Sequence, residues 1–145
     1  MKKSSIAGLA FVVVTMMAVV LVTMPVTGQV KKGTTRPLLT KQLMGGVTGP
    51  NCGALGKGLK AAPADDEAWG ALAQSAALLN EVSYILMADG RCPDGDWANA
   101  ATTLREQSQE LLNCIDAQDA EGSQAAFGAM TKACGACHSK HKEQK

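Results

Sequence analysis

Three successive stretches of this chain repeat small or apolar side chains every three or four residues, and a chain patterned that way has to bury helix against helix. In the first, residues 65–90, the stripe runs through Trp69, Leu72, Ala76, Leu79, Ser83 and Leu86. The second opens after the turn Pro93-Asp94-Gly95 and ends near Gln118, with Trp97, Leu104, Leu111 and Ile115 at near-heptad spacing. In the third, residues 119–142, Phe127, Met130, Cys134 and Cys137 share a face. Composition agrees. Hydrophobic residues are 46% of the 145 but aromatics only 3%, and the helix formers Ala, Leu, Met, Gln, Glu and Lys fill the middle of the chain. The expected class is all-α, in one domain.

The ends of these segments are marked as well. Asp65, Asp66 and Glu67 put negative charge where a helix N-terminus favours it, and Gly90 closes that segment. Asp96 reads as the cap of the next helix. Upstream, Leu38, Leu39, Gln42, Leu43 and Met44 suit a first helix, which Gly45, Gly46, Gly49 and Pro50 interrupt before Leu55 and Leu59 resume it. A kink is expected there, with a break near Gly49. Four helices joined by short turns, with a longer connection at residues 91–96, predict an up-down-up-down bundle. That topology gathers the start of the first helix, the second connection and the end of the last helix at one end. Met44, Cys92 and the stretch Cys134 to His138 then become neighbours.

Residues 1–28 are of another kind. Lys2 and Lys3 precede an uncharged apolar run from Ile6 to Val26, with Val26 and Gly28 small enough to sit before a cleavage point. This is the pattern of a secretory signal, with a mature start near Gln29. The run also approaches the roughly 20 residues that span a bilayer, so a retained segment would anchor the chain to a membrane. Either fate puts the folded part in a periplasmic or otherwise exported compartment. Residues 29–36, without periodicity, read as a flexible leader, and residues 37–145 as the bundle. A formal net charge of +1 gives no general pull toward nucleic acid.

The stretch Cys134-Gly135-Ala136-Cys137-His138 carries the chemistry. C-x-x-C-H is the attachment signature for c-type haem. On a helix, residues three and four apart share a face, so both sulfurs can reach the two vinyl groups while His138 ligates the iron. A thioredoxin-like dithiol would need the start of a helix, where the macrodipole favours a thiolate, whereas this motif lies near a C-terminal end. A zinc site on Cys134, Cys137, His138 and His141 would draw all its ligands from one short run, where structural zinc sites use two separated pairs. With the motif committed, Cys52, Cys92 and Cys114 allow at most one disulfide in an oxidising compartment, and Cys52 with Cys92 is a candidate pair.

From "KQLM" through "DWANAATTLREQSQELL" to "AAFGAMTKACGACHSKHK", residues 37–142 resemble cytochrome c′ and its low-spin relatives, the class II c-type cytochromes. The resemblance implies a four-helix bundle enclosing one covalent haem c per chain near the C-terminal end of the last helix. Cys134 and Cys137 would form the thioethers, and His138 would be the proximal iron ligand. Met44 falls where the family places its distal residue. A Met there implies six-coordinate, low-spin iron and an electron carrier with redox partner proteins. An open distal position would instead imply a protein that binds a small gas, NO or CO. Lys41 is the candidate contact for a haem propionate, since Lys41-Gln42 stands for the family's Arg-Gln pair. His141 and Lys142 replace the family's aromatic residue and Arg, and His141 is expected to be solvated. The family's frequent homodimer enters as an expectation too. Trp69, Trp97, Tyr84 and Phe127 read as core or pocket packing, and Cys114 as a small core residue. No general base or nucleophile is placed for turnover, so no enzyme is expected.

Overall fold

The computed structural model describes residues 32–142. The expected signal at 1–28 lies outside the described residues, as do 29–31 and 143–145. Four helices follow one another. The first, α1, is built of Thr40–Leu43, a π-helical turn Met44–Thr48 and Gly49–Gly58; α2 is Asp66–Met87, α3 is Gly95–Asp116 and α4 is Ala120–His141. No strand forms among the described residues, and the closest packing is of α3 on α4 and of α2 on α3. Among the described residues no helix is long and apolar enough to cross a membrane.

Each long helix begins at an aspartate whose carboxylate accepts a backbone N–H that the first turn leaves unpaired. Asp65 accepts from Ala68 at 2.8 Å, Asp94 from Trp97 at 2.9 Å and Asp119 from Gly122 at 2.9 Å. The cap of α3 is therefore Asp94 and not Asp96, which sits inside the first turn and pairs with Lys140 instead. The stripes meet in one core. Trp69, Leu72, Ala76, Leu79, Ser83 and Leu86 of α2 are all buried, as are Trp97, Leu104, Leu111 and Ile115 of α3 and Met130 of α4.

Helix α1 is not broken at Gly49. Proline cannot donate to the carbonyl four residues back, and its ring crowds that carbonyl. Pro50 follows a widened turn in which the ladder runs five residues back, from Gly49 N–H to the Met44 carbonyl. Thr48 Oγ1 reaches the Leu43 carbonyl over the same interval. The helix thus absorbs Pro50 by inserting a residue, and the insertion resets which side chains face inward. At its far end α1 lies so near α2 that a Cβ on Gly58 would stand 2.6 Å from Leu72 Cδ2.

The described part of the expected flexible leader is held. Asp89, in the left-handed region at φ 59°, accepts hydrogen bonds through its carboxylate from the hydroxyls of Thr34 and Thr35 and the backbone N–H of Thr35 and Arg36. These donors hold its carboxyl well below the usual range, the Arg36 N–H foremost. Behind it, fully buried Arg91 donates to the Leu38 carbonyl at 2.6 Å. Because the folded-state pKa of Asp89 is depressed, the tether's full stabilisation is present above the ordinary carboxylate pKa of about 4 and is lost progressively as pH falls from there through the depressed folded-state value. Asp89→Ala is expected to free residues 32–39 at neutral pH. Hydrogen exchange of the Thr35 and Arg36 amides should then rise about tenfold or more while the α3 core stays protected, and unchanged protection would refute the tether.

Candidate functional site

At one end of the bundle an apolar cleft opens to solvent between α1, α3 and α4. Met44 and Thr48 line it from α1, Trp97, Ala100, Ala101 and Leu104 from α3, and Ala133, Cys134, Cys137 and His138 from α4, with Leu86 closing the α2 side.

The geometry follows from the helices. Cys134, Cys137 and His138 stand three and four residues apart on the last two turns of α4 and so share its inner face. Met44 opens the π turn of α1, and Thr48, four residues and about one turn on, faces the same cleft. Trp97 forms a wall. Its indole N–H donates to the Leu86 carbonyl at 2.9 Å, capping one of the carbonyls that the end of α2 leaves without a helical partner.

Cys134 and Cys137 are half-buried and His138 is exposed at the mouth, yet partial burial shifts all three. Burial pushes the Cys134 thiol up, with Cys52 nearby adding to the effect, and pushes Cys137 up to about 11, with Cys134 and Asp94 adding to it. Both thiols are protonated at neutral pH. That is the reverse of the lowered pKa a thiol–disulfide oxidoreductase needs. His138 is shifted the other way, toward the neutral imidazole, by burial and then by the charge of Lys142. A neutral imidazole is the form that ligates a metal. Among the described residues no group of three or more His, Cys, Asp or Glu is arranged to hold a metal ion by itself.

No protein-family model, no curated protein and no solved structure matches the chain.

The expected site residues divide. Met44, Cys134, Cys137 and His138 meet at the cleft. Cys92 reaches the same end but not the cleft, its thiol lying against the Asp94 carbonyl. All five cysteines are unpaired, and the neighbour that Cys52 affects is Cys134, so the candidate Cys52 to Cys92 bridge is not formed. Lys41 is exposed and does not line the cleft.

His141, expected in solvent, is 8% exposed. Its ring stands edge-on to Trp97 at 5.3 Å between centroids, with Nε2 3.4 Å from an Asp94 oxygen. Sequence spacing hides this, because what buries His141 is the α3 cap folding over the end of α4. Tyr84 departs from expectation in the opposite sense: it is 50% exposed, under the Arg105 guanidinium. Cys114 is half-buried beside the Glu110 carboxylate. Thr48, Ala100, Ala101 and Ala133 escaped sequence reasoning. Thr48 and the Ala100–Ala101 pair carry no motif, and only the register of Trp97 and Leu104 on the same helix face could have pointed to Ala100 and Ala101.

Proposed function

We propose that this chain is an exported monohaem c-type cytochrome that carries one electron between partner proteins. The observation that carries the reading is the convergence on one apolar cleft of Met44, from the start of the described helices, with Cys134, Cys137 and His138 from their end. A C-x-x-C-H sequence alone fixes only attachment. A thioether on the opposite wall of the same cavity adds a second soft ligand for iron. The donor set fits haem c: two thiols for the covalent links, a neutral imidazole, a Met sulfur and apolar walls for the macrocycle.

Haem, when bound, supplies the reversible one-electron change of iron, and the protein sets its potential through the axial ligands and the dryness of the pocket. Cys134 and Cys137 would hold it, His138 would ligate from α4 and Met44 from α1. Leu86, Trp97, Ala101 and Leu104 give the cleft apolar walls, and Trp97 is fixed in place by its bond to the Leu86 carbonyl. The apolar run at residues 6–26 supports export, which is also where c-type haem would meet oxidised partners.

The test is the optical spectrum of the chain co-produced with a haem-attachment system, in both oxidation states, with and without carbon monoxide. The expected result is haem that survives acid-acetone extraction, sharp low-spin ferrous bands and no response to the gas. A covalent but broad high-spin spectrum that shifts with carbon monoxide would replace electron transfer by gas binding at an open iron. A colourless protein would overturn both.

A further inference from the structure

Helices α2, α3 and α4 each start on an aspartate, but α1 does not. Its N-cap is Leu39, whose side chain offers the first turn no acceptor. A first turn without a cap frays, yet Met44 follows directly on this one. What comes after Met44 holds it little better. Gly45 and Gly46 are exposed and bring no side chain, and α1 packs on α2 chiefly through Gly49–Gly58.

The α2–α3 connection supplies the anchor. Arg91 is fully buried, which a guanidinium tolerates only when its N–H groups find acceptors. Those it finds lie on the way into α1: Nη2 donates to the Leu38 carbonyl at 2.6 Å and Nη1 to Thr40 Oγ1 at 3.4 Å. Thr40 is itself buried and stands four residues before Met44, on the same face of the helix. An antiparallel bridge between Lys32 and Leu39 closes residues 33–38 into a loop, which Thr34, Thr35 and Arg36 fasten to Asp89. Gly33 threads between the two: a Cβ there would collide with Asp89 Oδ2 and stand 3.0 Å from Arg91 Nη2.

The segment that leads into this connection also builds the cleft. The Leu86 carbonyl, near the end of α2, accepts the Trp97 indole N–H, and Leu86 and Trp97 line the cleft together with Met44. We infer that Arg91 is a positioning residue for Met44: by gripping Leu38 and Thr40 it sets where α1 begins, and so where the Met44 thioether stands across the cleft from Cys134, Cys137 and His138. Asp89 keeps the gripped segment in place from its outer side. An apolar side chain of similar volume would fill the space under the leader equally well, but only a forked donor joins two points of the α1 entry to the connection. The inference deepens the electron-carrier reading and rests on it for what the position serves, ligation of iron by the Met44 sulfur.

The experiment compares Arg91→Met and Arg91→Lys with the parent, first in the haem-free chain. Amide exchange of Leu43 and Met44, whose N–H groups close the first turn on the Leu39 and Thr40 carbonyls, reads whether α1 starts in place. The ¹³C-methyl resonance of Met44 reads whether its side chain still lies in the cleft. Arg91→Met should raise exchange at both amides about tenfold or more and move the methyl resonance toward its unfolded position, with the α3 core still protected. Arg91→Lys should recover part of both, since an ammonium keeps a donor for the Leu38 carbonyl. In the haem-loaded protein the Met variant should gain a high-spin component and a response to carbon monoxide that the parent lacks, with covalent attachment unchanged. If Arg91→Met loses the α3 core as well, Asp89→Ala replaces it, because Asp89 is half-buried against the leader, and the same shifts are expected. Unchanged exchange and methyl resonance, or faster exchange with the methyl resonance and the low-spin spectrum unmoved, would overturn the positioning role. A parent that takes up no haem would fail the cytochrome reading alone, since the haem-free signals still decide what Arg91 does.

Discussion

Met44→Ala is expected to convert the haem-loaded protein from a low-spin to a high-spin spectrum while leaving the haem covalently attached. The substitution removes the thioether from the α1 wall of the cleft and leaves Cys134, Cys137 and His138 on the α4 wall untouched. Carbon monoxide should then bind the ferrous form, and the midpoint potential should fall, because Met ligation raises it. Stability should change modestly. Met44 is only half-buried, so the loss belongs near the lower end of the roughly 2–5 kcal/mol seen when a core Met becomes Ala. His138→Ala is the control: it should impair haem incorporation itself, since it removes the imidazole proposed to ligate from the attachment side. If Met44→Ala leaves the spectrum unchanged, Met44 merely packs, and the sixth position belongs to another group.

How much of this was legible without coordinates depends on whether a residue's neighbour is near in sequence. The stripes of α2 and α3 were legible because a period of 3.6 fixes a face regardless of what packs on it, and every residue read onto them is buried. The convergence of Met44 on the motif followed from connectivity alone. What failed were positions decided by a second element arriving from outside. The fate of His141 is set by Asp94 and Trp97, more than 40 residues away. The leader is held by Asp89 through a left-handed turn that no hydrophobic pattern announces. Around Gly45 and Gly46 the sequence signalled an interruption but not its kind. A Cβ on either glycine would meet nothing within 4 Å, so space is not what they provide. Their weak helix preference and the following Pro50 instead let the ladder widen into the π turn that carries Met44 and Thr48 on one side.

Trp97→Ala should be the most destabilising single change outside Met44 and His138. The side chain is 2% exposed and does three things at once. Its ring fills the wall between the cleft and the core, its N–H satisfies the Leu86 carbonyl, and its edge packs against buried His141. Truncation leaves a cavity, costing about 3–5 kcal/mol. For a domain of this size that lowers the melting temperature on the order of 10–20 °C. Trp97→Phe separates the contributions. It keeps most of the ring but leaves the Leu86 carbonyl without its donor, for a loss of about 1 kcal/mol plus a smaller packing deficit. Calorimetry on the haem-loaded and haem-free forms reads both. The Ala variant should also admit water to the cleft, so its ferrous spectrum should broaden even with Met44 and His138 in place. A Trp97→Ala protein that melts within a degree or two of the parent would mean that α3 does not form the cleft wall, and the pocket would have to be built from α1 and α4 alone.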